Sequence, residues 1–133
     1  MMDDALRELV RQRAGNRCEY CLLPQAAAQF FTFHIEHLRA RQHGRQGLET
    51  NLALACPDCN SHKGPNLSSI DPLTDSVVLL FNPRTENWID HFTCQESLLL
   101  GLTPTGRATV ELLDMNEADR VEMRAELFAN GEW

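Results

Sequence analysis

His34 to Lys63 reads HIEHLRARQHGRQGLETNLALACPDCNSHK. From Phe30 to Leu38, Phe31, Phe33 and Ile35 alternate with Thr32, His34 and Glu36, a period of two that predicts a strand. That phase puts His34 and Glu36 on one face, with His37 on the other or already turning away. Residues 39–50 hold two glycines and three arginines without periodicity, and read as a cationic loop. Residues 51–55 form a second, apolar strand running into Cys56. Pro57 can start a helical turn carrying Asn60, His62 and Lys63, and Gly64-Pro65 stops it. The local order is strand, loop, strand, helix.

Two Cys-x-x-Cys pairs, Cys18/Cys21 and Cys56/Cys59, flank the hairpin. Disulfides are disfavoured by the odd count of five cysteines and by the x2 spacing, which suits metal-bound thiols. The first ten residues, MMDDALRELV, open with acid and lack the basic-then-apolar pattern of a signal peptide. No run of about 18 apolar residues offers a membrane span, so a reducing cytoplasm is the expected compartment. Two sulfurs separated by two residues can face one ion at about 2.3 Å. The four paired cysteines are therefore expected to hold a closed, structural zinc; iron in the same sulfurs is the rival. Cys94 stands alone and reads as a buried apolar thiol.

Upstream, residues 3–14 read as a helix capped by Asp3 or Asp4 and ended by Gly15. Arg7, Arg11, Arg13 and Arg17 give this segment a basic face, either solvated or in touch with a phosphate backbone. Downstream, residues 77–81 and 98–100 are strand candidates. Thr103 caps a helix at about 104–114, with Val110, Leu112 and Leu113 inward. Asn116 caps a last helix at about 117–129, with Val121, Met123, Leu127 and Phe128 available to pack. With 133 residues and no separating linker, the expectation is one domain, residues 1–133. Its motif core is about 14–66, and a C-terminal α/β extension, about 67–133, packs on it. The fold class is α+β.

The net charge of −7 is unevenly placed. Up to residue 66 there are eight Lys/Arg against seven Asp/Glu; beyond it, four against twelve. The motifs thus sit in a near-neutral half, and phosphate-driven affinity should be modest and salt-sensitive.

Hydrolysis of a phosphodiester needs an activated water and stabilisation of charge on the phosphoryl and leaving oxygens. A hard divalent ion with oxygen ligands serves the charge and a neutral imidazole serves the water. Glu36 offers a carboxylate, His37 the base and Asn60 a second protein ligand, while the Asn51 amide can fix the loop that holds His37. The ordered set of Cys-x-x-Cys, Glu-His, Asn-Leu and Cys-x-x-Cys-Asn-x-x-Lys-Gly resembles the HNH endonuclease family over roughly residues 14–66. The resemblance implies a ββα-metal (His-Me) finger that cleaves DNA. In it His37 is the general base, Glu36 and Asn60 are ligands of Mg²⁺, Mn²⁺ or a similar ion, and Asn51 is the structural asparagine. His34, Arg39, Arg41, His62 and Lys63 are candidate phosphate or DNA contacts, each with an ordinary surface role as the bland alternative.

The alternative function is a non-catalytic zinc-binding module for nucleic acid or protein, which has no use for Glu36, His37, Asn51 and Asn60 together. DNA is the expected partner, with RNA not excluded. No recognition helix declares itself, so sequence specificity can come from a partner protein. A monomer would nick, whereas a two-fold homodimer can cut both strands.

Overall fold

The Asp3 carboxylate accepts a hydrogen bond from the Leu6 amide at 2.8 Å and so starts helix α1, Asp4–Arg13, satisfying a donor that has no partner inside the helix. At the other end Gly15 (φ +63°) and Asn16 (φ 55°) turn left-handed, and the Asn16 amide returns to the Arg11 carbonyl at 3.0 Å. That reversal delivers the chain to Cys18. The computed structural model describes residues 2–39 and 48–133. They fall into two compact units, Met1–Asn66 and Leu67–Trp133.

In the first unit, strand β1, His34–His37, pairs antiparallel with β2, Leu52–Ala55, in the register His34↔Ala55 to His37↔Leu52. Helix α2, Pro57–Lys63, follows at once, with Cys56 as its N-cap and Gly64 at φ +53° beyond its end. The chain therefore builds strand, strand and helix in the expected order, within a mixed α and β architecture. β2 is buried along its whole length, which matches its unbroken apolar run. The Arg13 guanidinium of α1 donates to the Glu49 carbonyl at 2.8 Å and to the Leu52 carbonyl at 2.5 Å, fixing α1 to the start of β2.

The first strand is shorter than its alternation predicts. Phe30 is 96 % exposed and Phe31 63 % exposed, and only Phe33 is buried. The Gln25 side chain holds this approach instead, donating to the Phe31 carbonyl at 2.6 Å and accepting from the Phe33 amide at 3.0 Å. A partner strand four residues long can pair only four residues of its neighbour.

The second unit carries two further antiparallel hairpins and three helices. β3, Ser68–Ile70, pairs with β4, Val77–Leu79; β5, Phe92–Gln95, pairs with β6, Leu98–Gly101. Helix α3, Trp88–His91, precedes β5, and α4, Pro104–Leu112, and α5, Ala118–Ala129, close the chain. Phe81, Phe92, Leu99, Ala108, Leu113 and Met115 are its buried core. A Cβ on Gly106 would collide with the His91 carbonyl, so only glycine lets α4 lie this close. Thr103 caps α4 as expected, accepting from the Gly106 amide at 3.0 Å.

Three local expectations are corrected here. Asn116 does not cap α5; Glu117 does, accepting from the Asp119 amide at 3.1 Å. The Asn116 amide pairs both backbone groups of Leu99, at 2.9 and 2.8 Å, and so closes the edge of β6. Cys94 is exposed rather than buried, because it lies near the tip of a two-stranded ribbon. Met123 is 43 % exposed; buried Arg124 takes the inward position on α5, donating to the Ser97 carbonyl at 2.7 Å and the Met115 carbonyl at 2.8 Å.

Asp71 receives a two-pronged bond from Arg107, Nε to Oδ1 and Nη2 to Oδ2, both at 2.9 Å. The guanidinium holds the Asp71 carboxyl well below the ordinary carboxylate range. A carboxyl whose folded pKa is depressed contributes stability above its unfolded pKa of about 4 and loses it as pH falls toward the folded value. Asp71→Asn should therefore lower the thermal midpoint at neutral pH, and the gap to wild type should narrow below about pH 4. Circular-dichroism melts across that range check this.

Candidate functional site

Cys18 and Cys21 sit on a tight knuckle, in which the Cys18 amide donates to the Leu23 carbonyl and the Leu22 amide to the Cys18 carbonyl, both at 2.9 Å. Leu22 adopts φ 68° to close it. Glu19 lays the knuckle along β2: its amide donates to the Leu54 carbonyl at 2.8 Å, and its carboxylate accepts from the Leu54 amide at 2.8 Å. Cys56 and Cys59 come from the cap and first turn of α2. All four cysteines are buried, and their sulfurs lie within 4.8 Å of one another.

A tetrahedron of sulfurs around one ion at about 2.3 Å has edges of about 3.8 Å. Cys21 Sγ and Cys56 Sγ are 3.8 Å apart. Burial pushes the Cys18 and Cys59 thiols well up, so thiolates there need a cation among them. The donor set fits a structural metal such as zinc. Cys59→Ser should lose the bound ion and the cooperative unfolding of this unit, since such ions supply on the order of 10 kcal/mol; elemental analysis and thermal melts check both.

The knuckle brings a second residue into play, Tyr20, which is fully buried. Its hydroxyl donates to Glu36 Oε2 at 2.7 Å. From the other side Lys63 Nζ approaches Glu36 Oε1 to 2.6 Å and donates to the Leu38 carbonyl at 3.2 Å. Both partners of this contact are buried, Lys63 and Glu36 side chains alike. Burial raises the Glu36 carboxyl above its ordinary value, against the pull of Lys63 and Tyr20. Burial and the Glu36 charge raise Tyr20 too, which keeps its hydroxyl a donor.

Lys63 was expected at a phosphate; the structure places it inside, 3 % exposed, on Glu36. Asn60 precedes it by one turn of α2 and is half-buried. Residues three apart share a helix face, so Asn60 lies on the same face of α2 as Lys63, which reaches Glu36 of β1. Glu36 and Asn60 are hard oxygen donors of the kind Mg²⁺ or Mn²⁺ takes, and Oε1 already draws a cation.

Asn51 lies in the turn before β2 and is buried. Its Oδ1 accepts from the Arg39 amide at 2.9 Å and its Nδ2 donates to the Arg39 carbonyl at 3.0 Å, pinning the chain two residues past His37. His37 is half-buried. Together with His34, Arg7 and Arg11 it lines a cleft of about 440 Å³, whose apolar wall includes Phe33 and Ile35. Arg39 and His62 are exposed and outside this cleft. Arg41 lies outside the described residues. Glu36 and His37 thus diverge: the carboxylate meets α2 and the knuckle, the imidazole meets the cleft beside α1.

Sequence reasoning missed Tyr20 and the pairing of Lys63. The only sequence signal was an aromatic with a hydroxyl placed between two metal-ligand cysteines. Lys63→Met should destabilise the unit by about 3–5 kcal/mol, because it strands a buried carboxylate. Adding Glu36→Gln should recover most of that loss in a urea-denaturation double-mutant cycle.

No curated protein and no solved structure matches the chain. Residues 18–66, which span the knuckle, the hairpin and α2, match the family model described as HNH endonuclease.

Proposed function

We propose that the protein is a metal-dependent endonuclease that hydrolyses phosphodiester bonds in DNA, leaving a 3′-hydroxyl and a 5′-phosphate. The observation that carries this reading is the pairing of opposites on neighbouring residues of β1. Glu36 presents a buried carboxylate that already draws a cation, and His37 presents an imidazole to a cleft lined by cationic side chains.

His37 takes the proton from the attacking water as general base. Asn51 holds the backbone that follows His37, so the imidazole keeps its direction when substrate arrives. Glu36 and Asn60 would hold the divalent ion, and Tyr20 orients the Glu36 carboxylate toward it. Such an ion, when bound, neutralises charge on the phosphoryl and leaving oxygens. Lys63 must first release Oε1, and its freed ammonium then carries a positive charge beside the reacting phosphate. The match of residues 18–66 to the HNH endonuclease model supports a nucleic-acid substrate, and the oxygen donors Glu36 and Asn60 are of the kind Mg²⁺ or Mn²⁺ takes.

One observation favours a second reading. Both Glu36 oxygens face partners inside the protein, as they would in a zinc-stapled binding module that never cuts. Zinc-loaded protein incubated with supercoiled plasmid and Mg²⁺ or Mn²⁺, and then with chelator, separates the two. Cleavage under no metal or salt condition would select the module.

His37→Ala should slow cleavage by about 10²–10⁴-fold while leaving zinc content and the melting curve unchanged. Undiminished cutting by that variant, with contaminating nuclease excluded, sinks the assignment. Glu36→Ala and Asn60→Ala should shift the divalent-ion dependence in the same assay.

A further inference from the structure

Four arginines precede or enter the knuckle, and the structure divides them into two kinds. Arg13 is spent on the carbonyls of Glu49 and Leu52, and Arg17 on the carbonyl of Leu22 at 3.0 Å. Arg7 and Arg11 differ. Arg7 has only a 4.0 Å contact with exposed Asp4, a surface pair of small worth, and no partner is found for Arg11 among the described residues. Being four residues apart, they stand side by side on one face of α1. That face borders the cleft that His34 and His37 enter from β1.

The cleft therefore gathers two guanidiniums and two imidazoles, with Asp4 as the acid beside Arg7. Glu8, the other nearby acid of α1, accepts from Gln12 Nε2 at 3.0 Å. Its volume of about 440 Å³ lies within the range of sites that hold small ligands, about 300–1,000 Å³. A guanidinium fork matches phosphate oxygens in geometry as well as charge.

We infer that this cleft is a subsite for the phosphodiester backbone of the strand on which His37 acts, with Arg7 and Arg11 as its phosphate-binding residues and His34 as a third contact. The inference rests on the proposed function for the identity of the strand, but not for the test of binding. Oriented this way, the backbone runs along α1, and the neighbouring phosphate reaches His37. Half-buried Ile35 offers an apolar surface against which sugar carbons can lie.

The test uses the zinc-loaded full chain without added Mg²⁺ or Mn²⁺, so that binding is read apart from cleavage. Fluorescence anisotropy with a labelled DNA oligonucleotide, over a range of salt, compares wild type with Arg7→Gln, Arg11→Gln and the double variant. Each released phosphate contact should flatten the slope of log affinity against log salt by about 0.7–0.9. The double variant should bind at least about tenfold more weakly, with zinc content and melting unchanged. An RNA oligonucleotide of equal length reports which backbone the subsite prefers, and sensitivity to the two arginines with either one supports it.

In the cleavage assay the double variant should raise KM with kcat largely kept, as expected for residues that bind without reacting. Wild-type binding and salt slope in the double variant overturn the subsite, even if the protein cuts DNA. Arginine-dependent binding by a wild type that never cuts keeps the subsite and removes the nuclease reading instead. Wild type that binds neither DNA nor RNA overturns the subsite as well.

Discussion

Four sulfurs converging on one point set the geometry of the first unit. Cys18 and Cys21 belong to a knuckle and Cys56 and Cys59 to the start of a helix, and the buried hairpin lies between them in sequence. Bringing the two pairs together within 4.8 Å forces the knuckle against β2, where Glu19 seals it through both backbone and carboxylate contacts with Leu54. Thiols buried this deeply resist ionisation unless a cation shares the cage. The metal thus does for this short segment what a larger apolar core does elsewhere.

The same cage places Tyr20. Between two ligand cysteines its ring turns to the interior, and its hydroxyl ends on Glu36 at 2.7 Å. Structural metal and candidate catalytic carboxylate are therefore joined by one side chain. Lys63 completes the arrangement from α2, the helix that also carries Cys56 and Cys59 at its start. A buried carboxylate with a single ammonium at 2.6 Å is costly to assemble, because both charges lose their hydration, and costlier to break by removing one partner. A divalent ion arriving at Oε1 gains twice the charge interaction that Lys63 offers, yet it must shed tightly held water. Under the proposed function, metal dependence would be a contest between those two terms, settled at the position of one lysine side chain.

Much of the first unit was legible in the sequence, since its signals are local. Asp3 caps, Pro57 starts and Gly64 stops within a few residues of where they stand, and the x2 cysteine spacing carries its own geometry. What escaped was decided by residues distant in the chain. Lys63 looked like a solvent-facing cation, because nothing near it in sequence reveals a carboxylate 27 positions upstream. Asn116 looked like a cap, and the same amide was claimed by the unpaired edge of β6 at Leu99. Phe31 and Phe33 read as one face of a strand, but β2 was too short to pair with them and Gln25 held their backbone instead. In each case a tertiary partner outbid the local preference of the residue.

The distribution of cations bears on how a chain of net charge −7 can meet a polyanion. Long-range attraction depends on net charge and is screened within about 10 Å at ordinary ionic strength. Contact affinity depends on which individual cations are still free to release counterions. Arg13, Arg17, Lys63, Arg107 and Arg124 are all engaged with carbonyls or carboxylates of the protein itself. They count in the net charge but have little to offer a phosphate. Arg7 and Arg11, by contrast, stand aligned on one helix face and border the cleft that His37 lines. A chain can thus be acidic overall and still present a short, local phosphate track. That track is weak at a distance and effective only in contact, which under the proposed function would let the site release its strand after each turnover.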